Sequence, residues 1–279
     1  MPEAGAEPGG RGTLIALEGP DGAGKTTQAR RLEAALRARG FEVVAVREPG
    51  GTALGERVRA LLLEAPEPIG PRAELFLFQA ARAELTERLI RPALAAGRVV
   101  IADRFYASTA VYQGAACARH GMEPLAAGWG PLAAVLAAAG GAGAAPAARG
   151  GASHGDPAAA DRRAAIDRAI EAAVALSLLA TGGLVPDLTV VLDLEAEAAA
   201  ARLGGERGRG DRFEGRGRAW LAAVVEGYRR YAALARAGRL PGRVEVLDAA
   251  RAPEQLAASV LELALEVLGR APAAAEAER

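Results

Sequence analysis

Residues Gly19 to Thr26 read G-P-D-G-A-G-K-T, and no other stretch limits the fold as strongly. The run fits the phosphate-loop pattern G-x-x-x-x-G-K followed by Ser or Thr. Such a loop needs a buried strand before it and a helix after it. Its backbone N–H groups then converge on phosphate oxygens, and the helix N-terminus adds a partial positive charge. Both flanks are present. Thr13 to Leu17 is a continuous apolar run that reads as a buried parallel strand. Thr26 to Arg39 reads as a helix with Leu32, Ala35 and Leu36 on one face and arginines on the other, and Gly40 ends it. Lys25 is one of 34 lysines and arginines and is the chain's only lysine. A compact ammonium kept here, where every other base is a guanidinium, points to a contact with β- and γ-phosphates. The Thr26 hydroxyl suits Mg²⁺.

Apolar strand-like runs recur at Thr13–Glu18, Glu42–Arg47, Arg98–Ala102, Leu188–Asp193 and Val244–Asp248, separated by helical segments. This alternation predicts an α/β fold of the P-loop NTPase type. Its three layers are a five-stranded parallel sheet and helices on both faces. Ligands in such sheets gather at the carboxyl ends of the strands. The polar residues there are Glu18, Arg47, Glu48, Asp103, Arg104, Asp193 and Asp248.

Within one domain spanning 13–270, residues 118–160 are dominated by Ala, Gly and Pro and read as a low-complexity insertion. Residues 204–218 are rich in Gly and Arg and read as a mobile lid or a flexible basic surface loop. Tails are expected at 1–12 and 271–279. His120 and His154 fall in the insertion and read as solvated rather than as metal ligands. The net charge is zero and the arginines are dispersed, so no field gathers nucleic acid. A single cysteine, Cys117, excludes an intrachain disulfide and suits a reducing compartment. No apolar run approaches the roughly 20 residues of a membrane span, so the expectation is a cytoplasmic protein that binds neither membrane nor nucleic acid.

Four further groups carry chemistry. Arg47 to Thr52 reads R-E-P-G-G-T, a tight turn after a strand. Arg47 there either meets a phosphate or forms a surface ion pair. Phe78 and Arg82 lie four apart on a predicted helix and so share a face. A ring to stack on a base and a forked donor for a carbonyl edge is one reading; a core Phe beside a surface Arg is the other. Asp103 and Arg104 end an apolar strand, suited to orienting an acceptor around Mg²⁺ and clamping a phosphate. Ser108, Thr109, Tyr112 and Gln113 follow as a cluster of hydroxyls and an amide suited to sugar and base contacts. Arg207, Arg209 and Arg212 in the Gly/Arg segment are candidate clamps for a transferring phosphoryl group.

Taken together, E-G-P-D-G-A-G-K-T-T, R-E-P-G-G-T, the Phe78/Arg82 helix, D-R-F-Y-A-S-T-A-V-Y-Q-G, T-G-G-L-V-P-D-L-T-V-V-L-D and D-R-F-E resemble the bacterial thymidylate kinases. The phosphate loop alone is shared by many families, whereas R-E-P-G-G-T with the D-R to Y-Q-G stretch is far more specific. The resemblance implies transfer of the γ-phosphoryl group of ATP to dTMP, with Mg²⁺, in a homodimer. It implies an ATP site at Gly19, Pro20, Asp21, Gly22, Ala23, Gly24, Lys25, Thr26 and Thr27, with Mg²⁺ at Thr26 and Asp21. It implies Phe78 stacked on thymine, Arg82 on a base carbonyl, Thr109 and Gln113 near the base edge and Tyr112 near the sugar. Arg47 and Arg104 would hold the acceptor phosphate, with Asp103 and Asp21 close by. Gly22 stands where relatives with a loop cation carry arginine, so the resemblance assigns that cation to the lid. Phe105 departs from the Tyr or His common after D-R. The insertion departs as well, lying where it could alter the dimer surface. Another nucleoside monophosphate or deoxynucleoside kinase is the near alternative, and a nucleotide-dependent switch is the distant one.

Overall fold

The structure is a computed structural model, and it describes residues 11–64, 67–116, 157–205 and 217–269. Five strands form one parallel sheet among these residues: β1 (Leu14–Glu18), β2 (Val43–Arg47), β3 (Val99–Asp103), β4 (Leu188–Asp193) and β5 (Val244–Asp248), in the order β2-β3-β1-β4-β5. Every neighbouring pair is parallel, with Leu14 opposite Val100 on one side of β1 and Ile15 opposite Leu188 on the other. Each predicted strand is present with bounds shifted by one residue at most.

The core strands are apolar throughout because both sheet faces are covered. Side chains alternate across a strand, so Leu14 and Ala16 face one apolar cluster while Ile15 and Leu17 face the other. Val100 and Ala102 of β3 divide from Val99 and Ile101 in the same way.

Helix α1 (Lys25–Arg37) covers the second face through Ala29, Leu32 and Leu36, joined late in the chain by α9 (Pro253–Val267). Between them in sequence come α2 (Ala53–Glu64), α3 (Pro71–Leu85), a π-helical turn at Thr86–Ile90 and α4 (Arg91–Ala95). After β3 come α5 (Tyr106–Thr109) and a π-helical segment, Ala110–Ala116. The first face carries this segment together with α6 (Pro157–Thr181) and α8 (Arg218–Arg236); α7 (Ala196–Gly205) follows β4. In α8, Trp220, Val224, Tyr228 and Tyr231 recur at helical spacing and are buried. Gly227 lets α8 press onto the π-helical segment, since a Cβ there would lie 2.8 Å from Val111 Cγ1.

Two features depart from the sequence reading. Helix α6 begins at Pro157, so the last residues of the stretch assigned as an insertion open a helix. The rest of that stretch, with Cys117, His120 and His154, lies outside the described residues. Gly12, placed in the N-terminal tail by sequence, donates its amide to Leu94 O at 2.8 Å.

The topology fixes where a ligand goes. Strands β1 and β3 are neighbours, yet α1 leaves β1 toward one face and α5 leaves β3 toward the other. The chain diverges there, and a crevice opens at the carboxyl ends of the two strands.

Candidate functional site

The crevice holds the phosphate loop. Gly19, Gly22 and Gly24 all take positive φ, at 141°, 81° and 89°. A Cβ on Gly19 would lie 2.5 Å from Leu192 O, so backbone conformation and space both require glycine. No side chain caps α1 at Gly24, which leaves the first amides of the helix facing the crevice. Lys25 Nζ donates to Pro20 O at 2.7 Å across the loop. Burial and the nearby Arg104 guanidinium lower its pKa from 10.5 to about 8, with Asp21, Asp103 and Glu18 opposing that shift. The ammonium is thus poorly compensated, as suits a group that meets anionic phosphates.

Arg104 sits just past β3 with φ of 72°, the one non-glycine residue at positive φ among the described residues. Such strain costs about 1–3 kcal/mol and persists only where surroundings impose it. Here the Arg104 amide donates to Leu17 O at 3.0 Å, and the guanidinium pairs with Asp21, lies 5.3 Å from the centre of the Tyr112 ring and donates to Ser108 Oγ at 3.0 Å. Tyr112 OH donates to the other Asp21 oxygen at 2.6 Å. Both Asp21 oxygens therefore have partners. Burial raises the Asp21 pKa, but Arg104, Lys25 and Tyr112 outweigh it and hold the carboxyl below its usual value.

Glu18, fully buried at the end of β1, accepts from Phe105 N at 2.8 Å, Ser108 N at 3.1 Å, Ser108 Oγ at 2.6 Å and Tyr228 OH at 3.1 Å. Burial still pushes its carboxyl above the usual range despite these donors and Arg104. Thr26 Oγ1 donates to Asp103 Oδ2 at 2.5 Å. The sequence reading puts Mg²⁺ on Thr26 and Asp21; in the structure Asp103 stands beside Thr26, and Asp21 contacts Arg104 and Tyr112.

Arg82 is 1% exposed, not a surface arginine. Its Nε and Nη2 grip the Glu48 carboxylate, Nη1 donates to Gln79 Oε1 at 3.0 Å and Ser177 Oγ at 3.1 Å, and Nη2 also reaches Phe105 O at 3.1 Å and Thr109 Oγ1 at 2.9 Å. All three nitrogens are thus committed to protein groups. Arg47 donates twice to Glu56, at 3.0 and 2.9 Å, which is the surface ion pair left open by sequence, yet it also borders the cleft. Ser108, Thr109 and Tyr112 likewise bond to protein groups rather than standing free.

One cleft of about 990 Å³ gathers most of these residues. Its walls include Asp21 to Thr27, Arg47, Phe78, Arg82, Asp103, Arg104, Ser108, Thr109, Tyr112 and Gln113. Gly19 and Pro20 lie behind the wall and contribute carbonyls to Arg104 and Lys25. Asp193 pairs with Arg229 and Asp248 accepts from the Ala250 amide, so neither strand-end acid serves the cleft. Arg207, Arg209 and Arg212 lie outside the described residues.

Sequence reasoning missed Arg59, Arg202 and Arg251, which line the cleft with no motif to mark them. Arg59 donates to Pro49 O at 3.0 Å, and Arg202 bridges Gly22 O and Ala249 O at 3.2 and 2.9 Å. Tyr228 was equally unmarked, being one apolar position of α8 among several.

A phosphate loop at the switch point of a parallel sheet, opening on a cleft lined by cations and the rings of Phe78 and Tyr112, places the protein in the P-loop nucleotide-binding class. The family model for thymidylate kinase matches residues 17–123. A thymidylate kinase of Pseudomonas putida (strain GB-1) is 40% identical over 244 residues, covering 87% of this chain and 90% of the relative. One from Pseudomonas syringae pv. tomato is 40% identical over 259 residues, 92% and 97% of the two chains, and one from Rhizorhabdus wittichii is 36% identical over 260 residues, 92% and 99%. The chain belongs to the thymidylate kinase family.

The Arg82–Glu48 pair yields a stability prediction. Burial raises the Glu48 pKa in spite of Arg82, so the pair is costly to bury, and removing one partner leaves a bare charge inside. Glu48→Gln is expected to destabilise the fold by about 3–5 kcal/mol. Urea unfolding should show a lower midpoint at unchanged slope; an unchanged midpoint would mean that Arg82 finds another counter-charge.

Proposed function

We propose that the protein transfers the γ-phosphoryl group of ATP to the 5′-phosphate of dTMP, giving dTDP and ADP. The observation that carries this reading is one continuous cleft of about 990 Å³ lined both by Lys25 and the loop and by Phe78 and Gln113, which gives a donor and an acceptor nucleotide a shared site. ATP phosphates sit on the loop, with its base toward Ala249, Arg251 and Pro253. The thymine stacks on Phe78.

An acceptor phosphate oxygen attacks the γ-phosphorus in line, the bond to the β,γ-bridging oxygen breaks, and ADP leaves. The attacking phosphate already carries its charge, so no side chain has to remove a proton. The protein's work is to position the groups and neutralise charge. Lys25 and the loop amides hold the donor oxygens. Arg104, fixed by Asp21 and Ser108, faces the acceptor phosphate, and Arg47 and Arg59 flank it. Fixed cations at such a centre are worth about 10³–10⁵ in rate. Arg207, Arg209 and Arg212 are proposed as the cations that close over the transferring group.

Thr26 Oγ1 and Asp103 Oδ2 offer a hydroxyl and a carboxylate side by side, the hard oxygen donors Mg²⁺ prefers, with water and phosphate completing the shell. Bound there with ATP, Mg²⁺ would neutralise β- and γ-phosphate charge. Asp21 acts by positioning Arg104.

The near alternative is a kinase for a different nucleotide. ADP release from ATP and Mg²⁺, assayed separately with dTMP, dUMP, dCMP, UMP, AMP and GMP, decides between them. Strong turnover with dTMP and weaker turnover with dUMP is expected; preference for another acceptor would replace dTMP, and turnover independent of acceptor would discard phosphoryl transfer altogether.

Lys25 gives a second test. Bound phosphates favour its ammonium and raise its pKa above about 8. The complex then holds more protons than the free protein above that value, so ATP binding takes up protons and affinity falls as pH rises through and beyond it. Calorimetry half a pH unit above, in two buffers of different ionisation enthalpy, should show uptake; no uptake would mean that Lys25 does not meet the phosphates.

A homodimer is proposed as well, resting on exposed Leu61, Phe76 and Leu179 of α2, α3 and α6, which are 52%, 57% and 56% exposed. Light scattering should give twice the monomer mass; the monomer mass at assay concentrations would reject it. Among the described residues no helix is long and apolar enough to cross a membrane.

A further inference from the structure

We infer that Glu74 sets the orientation of the Gln113 amide and so makes the cleft selective for a pyrimidine that carries a proton on N3. The inference rests on the acceptor proposed above and assigns a positioning role to a residue that no sequence motif marked.

Glu74 lies in the first turn of α3, where the helix dipole favours a carboxylate, and is 1% exposed. Gln113 lies in the π-helical segment and is also 1% exposed. Gln113 borders the cleft and Glu74 stands behind it. Gln113 Nε2 donates to Glu74 Oε1 at 2.9 Å. A carboxylate oxygen accepts hydrogen bonds, so the amide nitrogen is the group that must turn toward it. The other end of the amide, Oε1, is then what Gln113 offers the cleft. Among the described residues, none donates to that oxygen.

One turn earlier on the same wall, Thr109 Oγ1 accepts from Arg82 Nη2 at 2.9 Å, which leaves its own proton to donate. The wall thus presents a donor and then an acceptor. Thymine and uracil present a carbonyl and then an N–H along O4 and N3. Cytosine carries an unprotonated N3 that would face the Gln113 carbonyl lone pairs, and leaving two buried acceptors opposed is costly. A glutamine free to flip would offer its NH₂ and lose this discrimination. With the carboxylate behind it, the amide keeps one orientation.

The test uses Glu74→Gln, which is isosteric and can offer an NH₂ to the Gln113 oxygen, so both amides can flip. Two acceptors are compared, dUMP and the 5′-monophosphate of the 2-pyrimidinone deoxyribonucleoside. The second has an acceptor at N3 and only hydrogen at C4, so the pair differs at both positions. Glu74→Gln leaves the Thr109 contact to Arg82 in place, and the change in the ratio from parent to variant therefore reads N3. The ratio of their kcat/KM values is expected to fall at least about tenfold in Glu74→Gln, with KM for ATP and thermal midpoint close to the parent. Glu74→Asp, which can only accept, should keep the ratio while raising KM for both acceptors.

A purely structural role for Glu74 would lower both acceptors together. An unchanged ratio in Glu74→Gln would therefore overturn the inference. Should that variant fail to fold, Gln113→Leu, which has neither donor nor acceptor, gives the same readout, and an unchanged ratio there overturns it equally. A parent protein inactive on both dTMP and dUMP would refute the proposed function before any variant is made. Activity on dTMP with an unchanged ratio in the variants would refute only the role of Glu74.

Discussion

Everything in the cleft hangs on one buried carboxylate at the point where the sheet divides. Glu18 ends β1, and its two oxygens accept from Phe105 and Ser108, which follow β3, and from Tyr228 in α8. Strands β1 and β3 send their helices to opposite faces, so without a tie the segments beyond them would have no shared reference. Glu18 supplies it. Its burial is unfavourable for a charge, which the raised pKa reflects, and four hydrogen bonds with Arg104 nearby offset that cost. The return is geometric. Phe105 and Ser108 fixed by Glu18 determine where Arg104 sits, and Arg104 then holds Asp21 and the phosphate loop.

The cations that surround this carboxylate differ in kind for a physical reason. Arg104 and Arg82 each spread several N–H donors in a plane, and each is clamped by multiple partners: Asp21, Ser108 and a Tyr112 ring face for one, Glu48, Gln79, Ser177 and Thr109 for the other. A guanidinium suits a permanent fixture. Lys25 makes one bond, to the Pro20 carbonyl, and its ammonium is partly destabilised by its surroundings. A single flexible point charge can leave that carbonyl for a phosphate, which a forked and multiply held arginine cannot do at comparable cost. That difference explains why a chain otherwise written in arginine keeps one lysine.

How much of this was legible depends on the range of the contacts. The strands were visible because both faces are covered, which turns alternation into continuous apolar runs such as Leu14–Leu17. The loop was visible because its chemistry is local: glycines at positive φ within a few residues of the lysine they serve. Arg82 was visible as a cleft residue, but its environment was not. Its partners Glu48 and Ser177 lie 34 and 95 residues away, and no spacing rule joins them. Arg59, Arg202 and Arg251 were hidden by composition, since one arginine among many carries no signal. Helix α6 was obscured at its start because its first turn continues the alanine-rich composition before it.

Arg82 finally bears on how such a site achieves selectivity. A guanidinium aimed freely at a base would be solvated when empty, and would have to shed water and lose rotamer freedom on binding. Here every nitrogen is engaged before any ligand arrives, so the ordering cost is met in folding, and the buried Glu48 keeps the charge compensated. The hydroxyl of Thr109, already accepting from Arg82, and the amide of Gln113, already donating to Glu74, are oriented by the same means. Buried ion pairs and carboxylates behind the wall contribute little net stability. Their effect is to leave Thr109 and Gln113 each with one remaining valence of defined sign, and a base edge of the opposite pattern is what the proposed acceptor site would take.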